Sequence, residues 1–125
     1  SFVDVTGLSV AITPRFTTSA VLVTVSIYTS NSSVALNSFN LVRGSTAIAQ
    51  PAADTYSASM NASMTVVSSD DRTVSLTFLD SPATVAATTY KIQMKVSGGS
   101  GYVCRRADLA SVSAPSTITA EEIRG

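Results

Sequence analysis

Along residues 90–96 the chain alternates without a fault: Tyr90, Ile92, Met94 and Val96 fall on one side, Lys91, Gln93 and Lys95 on the other. A period of two is that of a strand with one wet face. Val74-Ser75-Leu76-Thr77-Phe78-Leu79 reads as its companion, with residues 80–89 as the connection. Other stretches repeat the pattern. Phe2 to Val5 and Leu8 to Ile12 predict a first strand interrupted at Thr6-Gly7, where glycine permits a bulge or bend; Pro14 ends it. Residues 20–28 set Val21, Val23, Val25 and Ile27 against Leu22, Thr24, Ser26 and Tyr28, and two partly apolar faces predict a central strand. A polar turn at residues 30–33 precedes a strand over 36–42, and Arg43-Gly44-Ser45-Thr46 predicts a tight hairpin into Ala47-Ile48-Ala49.

After a connection at residues 51–54, Ala58, Met60, Ala62, Met64 and Val66 alternate with Ser57, Ser59, Asn61, Ser63 and Thr65. Methionine and alanine on the inner side predict a thin, irregular gap to fill. Residues 68–72 read as a turn built on Asp70 and Asp71, and Gly98 to Gly101 as another, leading to a strand at 102–105. The last strand covers 117–123. The whole is an all-β chain of nine to ten short strands with no significant helix, at the spacing of an antiparallel sandwich or barrel; 125 residues predict one domain, 1–125.

Composition narrows the function. Only 13% of residues are charged, so solubility rests on the many Ser and Thr hydroxyls; 45% are hydrophobic, too many for a disordered linker. Eight basic residues balance eight acidic ones without a basic run, which leaves no footprint for nucleic acid. No apolar stretch approaches the ~20 residues of a membrane helix, and Ser1-Phe2-Val3-Asp4 lacks the regions of a signal peptide, so a soluble piece of something longer is expected, with no membrane insertion. Cys104 is the one cysteine and there is no histidine. An intrachain disulfide, zinc sites and Ser-His or Cys-His catalysis are thereby excluded.

The remaining chemistry is sparse. Gly98-Gly99-Ser100-Gly101 lacks the Lys-Ser/Thr ending of a phosphate cradle and reads as a turn. Asp70-Asp71 supplies two of the six to eight oxygens calcium needs, so the expectation is no metal and no cofactor. Glu121 and Glu122 are strand neighbours pointing to opposite faces and cannot share a substrate as a carboxylate pair. The other carboxylates offer no recognisable arrangement, and the chain is expected not to be an enzyme. Asn31-Ser32-Ser33 and Asn61-Ala62-Ser63 match the glycosylation acceptor, a weak pattern. Cys104 reads as a small buried side chain, although Arg105 and Arg106 beside it would favour a thiolate. Tyr28, Tyr90 and Tyr102 are expected to pack in the core or at a subunit contact.

Residues 2–14 (Phe2-Val3-Asp4-Val5-Thr6-Gly7-Leu8-Ser9-Val10-Ala11-Ile12-Thr13-Pro14), 41–48, 78–82, 88–93 and 116–123 together resemble the C-terminal domains of bacteriophage tail-fibre and related virion surface proteins. The resemblance spans nearly the whole chain. It implies a jelly roll of the tumour-necrosis-factor and complement-head kind, a homotrimer capping a fibre on the virion surface, and a host surface glycan or protein as receptor. Bacterial adhesive fibres carry similar tips. A purely structural trimerisation or capsid-decoration domain is the alternative. The two partly apolar faces of residues 20–28 add a warrant of their own for the trimer, since one small sandwich needs a single such face.

Loop parity locates the expected tip. If successive loops of an antiparallel fold alternate between ends, those at Arg15-Phe16, Arg43-Gly44, Asp70-Asp71-Arg72 and Gly98 to Gly101 share one end, and Ser1 starts at the other, where a shaft attaches. Arg15, Phe16, Arg43, Asp70, Asp71 and Arg72 are then the expected receptor-contacting set. A structure with Arg15 and Asp70 at opposite ends refutes it.

Overall fold

A computed structural model of the chain describes residues 1–50, 61–65 and 70–125. Its elements are β1 (Val3–Ile12), β2 (Ala20–Asn31), β3 (Ala35–Arg43), β4 (Thr46–Ile48), β5 (Asn61–Thr65), β6 (Asp71–Asp80), β7 (Thr88–Val96), β8 (Gly101–Val103) and β9 (Thr117–Ile123). There is no helix among the described residues. Two antiparallel sheets pack face to face as a β-sandwich: one runs β1-β7-β3 with β4 and β5 beyond, the other β6-β2 with β8 and β9 beyond. The alternations that predicted strands at 74–79 and 90–96 are found in β6 and β7, which lie in different sheets.

Each sheet is centred on a strand with one whole neighbour and one divided neighbour. β3 has β7 on one side; on the other β4 covers Leu41 to Arg43 and β5 covers Ala35 to Phe39. β2 has β6 on one side; on the other β9 covers Ala20 to Ser26 and β8 covers Thr29 to Asn31. The gap between β8 and β9 falls at Ile27 and Tyr28, where buried peptide groups still need partners. Tyr28 finds both: its N–H donates to Ser116 Oγ at 2.9 Å and its carbonyl accepts from the Cys104 N–H at 2.8 Å. Cys104 turns there with φ of 70°, so it lies beyond the strand the alternation suggested, and it is half-buried. The alternation read over residues 58–66 is seen as β5 at 61–65; its remainder, and the connection at 51–54, lie outside the described residues.

β1 is one strand with a bulge. Asp4 pairs with Gln93 and Ser9 with Lys91, so five steps on β1 match two on β7, and Gly7 at φ of 89° absorbs the excess. The shift of parity is what brings Leu8 inside, 5% exposed. Gly44 at φ of 62° closes the two-residue turn from β3 to β4 as its sequence predicted.

Val21, Val23, Val25 and Ile27 of β2 meet Phe39 and Leu41 of β3 and Tyr90 and Ile92 of β7 in the core. Beyond them, toward the end where β2 passes into β3, the interior turns polar without opening to water. Thr29, Ser30, Asn31 and Asn37 are all fully buried. Asn31 Nδ2 donates to Asn37 Oδ1 at 2.8 Å and to the Gly98 carbonyl at 3.0 Å; Asn37 Nδ2 donates to Thr29 Oγ1 and the Ser30 carbonyl, both at 2.9 Å. Thr29 and Ser30 pass the network on to the Tyr102 and Arg105 carbonyls. Ser30 and Asn31, polar and so expected in a turn, are strand residues because this network satisfies them. Replacing Asn37 by Leu strips partners from Asn31, Thr29 and Ser30 at once; a loss of about 3 kcal/mol is expected in urea unfolding, against about 1 for a single exposed hydrogen bond.

Candidate recognition surfaces

Strand register fixes which loops share an end. Ser30 lies opposite Asp71 and Val21 opposite Asp80, at the two extremes of β6, roughly 30 Å apart at ~3.3 Å per residue. Arg43 pairs with Tyr90, and Ile12, just before Arg15 and Phe16, pairs with Thr88. Arg15, Phe16 and Arg43 therefore sit with residues 81–87 at one end, the Arg43 end. Asp70, Asp71 and Arg72 sit with residues 32–34 and 97–100 at the other, the Asn31 end. The six residues expected to form one tip are divided between both. The parity argument fails because β4 and β5 run in the same direction, one after the other along a single edge of β3, so β5 does not reverse the direction of β4. Asp71 and Arg72 are also strand residues, not turn residues.

At the Arg43 end the Arg43 guanidinium points inward. Its Nη1 donates to both Asp80 oxygens, at 2.6 and 2.7 Å, and the Tyr90 hydroxyl donates to Asp80 Oδ2 at 2.6 Å. The Asp80 side chain is 7% exposed and that of Arg43 30%. Burial first, and then the bond to Asp80, push the Tyr90 phenol well above its ordinary range. Arg43 is thus a clasp between β3 and β6, across the two sheets, and not a group waiting for a ligand. The neighbouring loop folds onto β9: the Ser19 N–H donates to the Phe16 carbonyl, and the Arg15 N–H to Glu122 Oε2 at 2.8 Å. The polar groups of the 15–19 loop facing it hold the Glu122 carboxyl below its usual range. Glu121 faces solvent, as the strand period requires. On this braced loop the Phe16 ring is 42% exposed, with the Arg124 guanidinium 4.7 Å from its centroid. Val85 is exposed in the 81–87 loop at the same end.

The Asn31 end carries more charge, but the charges face one another. Arg72 Nη2 lies 2.9 Å from Asp70 Oδ2, Arg106 forks onto Asp108 at 2.6 and 3.2 Å, and the Tyr28 hydroxyl donates to Asp71. The Asp71 carboxylate raises the Tyr28 phenol. Arg105 stacks over Tyr102 at 4.5 Å and donates to the Arg106 and Ala107 carbonyls. These partners were not found from the sequence: Tyr28 and Asp71 are 43 residues apart, and only the outward phase of Tyr28 on its strand hinted at a surface role. Asn31 is buried, so the acceptor sequence beginning there is closed to glycosylation; the side chain of Asn61 lies outside the described residues. Gly99, at φ of 62°, packs against Ser33, Asn31 and Ser32, as a tight turn must. No group of three or more metal-ligating side chains exists among the described residues. No protein-family model matches this chain, and no curated protein matches it.

Both raised phenols are neutral in the fold. Their contribution is complete below the ordinary tyrosine value near 10 and is lost as pH rises from there toward the folded value. Urea midpoints are therefore expected to fall steadily above about pH 10, and Tyr90→Phe, less stable near neutrality by about 1 to 2 kcal/mol, to show a flatter alkaline limb. An alkaline slope unchanged by Tyr90→Phe contradicts the assignment.

Proposed function

We propose that the chain is a non-enzymatic, homotrimeric fibre-tip domain on a virion or comparable extracellular surface, and that loops at its Arg43 end recognise a host surface receptor, carbohydrate or protein. The observation that carries this reading is the polarity of the sandwich. β1 begins beside Met94, toward the Asn31 end, whereas β9 closes beside Ala20 at the Arg43 end, so a shaft joined ahead of Ser1 leaves the Arg43 end distal. Support for a jelly roll comes from nested pairing, β1 with β7, β2 with β6 and β3 with β5, which is how a folded-over hairpin wraps. The contact set is then Arg15, Phe16, Arg124 and Val85, with Arg43 as their support and Asp70, Asp71 and Arg72 at the shaft side. An exposed ring on a loop fixed by Glu122 suits stacking against a sugar or packing against protein.

The second reading, a purely structural trimerisation or decoration domain, is favoured by the mutual pairing of charges at the Asn31 end. Light scattering is expected to give three times the 12.9 kDa chain mass. On an array of bacterial surface polysaccharides and on intact host cells, Phe16→Ala with Arg15→Ala is expected to lose ~10-fold or more in binding, as central aromatic and arginine contacts do. Asp70→Ala with Arg72→Ala is expected to bind as the parent does. The opposite ranking reverses the orientation, and a trimer that binds neither array nor cells supports the structural reading.

A further inference from the structure

The solvent face of the sheet formed by β6, β2 and β9 runs in four rows. Register sets Ser26 between Ser75 and Thr117, Thr24 between Thr77 and Thr119, Leu22 between Leu79 and Glu121, and Ala20 beside Ile123. Toward the Asn31 end the rows are hydroxyls. Toward the Arg43 end the polar-outside rule fails over two successive rows: in one, Leu79 is 56% exposed and Leu22 half-buried beside it, next to Glu121 of β9, and in the following one Ile123 is 40% exposed beside Ala20. A single exposed leucine needs no explanation, whereas adjacent strands failing together make a patch. β9 is also a sheet edge, paired on one side with β2, and it carries neither lysine nor proline to discourage another chain.

We propose that this patch is where copies of the chain meet, with Leu22, Leu79 and Ile123 gathered around the threefold axis and Glu121 of each copy reaching Arg124 of the next. The inference rests on the trimer proposed above. A second copy suits the patch because one copy's Glu121 can face the next copy's Arg124, a head-to-tail contact that closes into a ring. Glu121 and Arg124, of opposite sign and three residues apart, flank the apolar patch, and the hydroxyl rows below bring no like charges together on close approach. Phe16, stacked under Arg124, then stands at the junction of two copies, so assembly and ligand contact share an edge.

The test is solution mass by light scattering with far-UV circular dichroism as the control for folding. The parent is expected at three chain masses, and Leu79→Lys and Ile123→Lys at one, with unchanged strand spectra. Glu121→Arg is expected to dissociate and the double exchange Glu121→Arg with Arg124→Glu to reassemble. A trimeric Leu79→Lys variant overturns this contact and leaves the trimer standing; a failed charge exchange overturns the Glu121 to Arg124 pairing; a monomeric parent overturns both the contact and the trimer.

Discussion

Two buried polar clasps, one at each end of an apolar slab, set the geometry of this sandwich. With a single cysteine the sheets cannot be stapled covalently, and a core of Val21, Val23, Val25, Ile27, Phe39, Leu41 and Ile92 is non-directional, tolerant of small slides. Asn37 bonded to Thr29 and Ser30 at one end, and Arg43 with Tyr90 on Asp80 at the other, are directional and are satisfied at one alignment of the sheets. Shifting a strand by one residue unpairs buried polar groups, each worth about 1 to 3 kcal/mol. The clasps thus contribute uniqueness of register more than net stability, since desolvating a buried ion pair offsets much of its attraction.

The loops inherit their rigidity from this frame. The strand ahead of the 81–87 loop ends at Asp80, so its root is tied to Arg43 and Tyr90 across the sandwich. The loop after β1 is tied to β9 through Glu122. At the opposite end the 104–116 segment leaves and rejoins β2 at one residue, Tyr28, which accepts a bond from Cys104 and donates one to Ser116. A loop whose root is fixed can present an exposed side chain such as Phe16 without a large ordering cost at the moment of contact.

Alternation was legible wherever one strand face is wet, as in β7, and so were the glycine turn at Gly44 and the divergence of Glu121 from Glu122. The misreadings have one physical source. Ser30, Asn31 and Asp71 were assigned to turns because polar residues usually mark them, and each is instead a strand residue held by a partner distant in sequence: Gly98 for Asn31, Arg105 for Ser30, Tyr28 for Asp71. The division of the expected tip between both ends arose the same way. Whether two short strands reverse or continue along one edge depends on pairing with β3, which hydrophobic periodicity does not encode.

Charge usage bears on what such a surface can recognise. Arg43, Arg72, Lys91 and Arg106 are engaged by Asp80, Asp70, Asp4 and Asp108, while Lys95, Arg105 and Arg124 lie over the rings of Phe2, Tyr102 and Phe16. Arg15 is the exception, giving its N–H to Glu122 while its guanidinium feels that carboxylate across the loop. Long-range steering of an anionic partner is therefore weak, and contact must rest on exposed rings, aliphatic groups and hydroxyls. Such contacts are individually modest, and they become effective when several copies engage together, because linked sites convert later binding events into intramolecular ones. In the proposed trimer, multiplicity would have a physical reason in this charge usage: with its basic groups held by internal partners, the chain would gain firm binding from its neighbours.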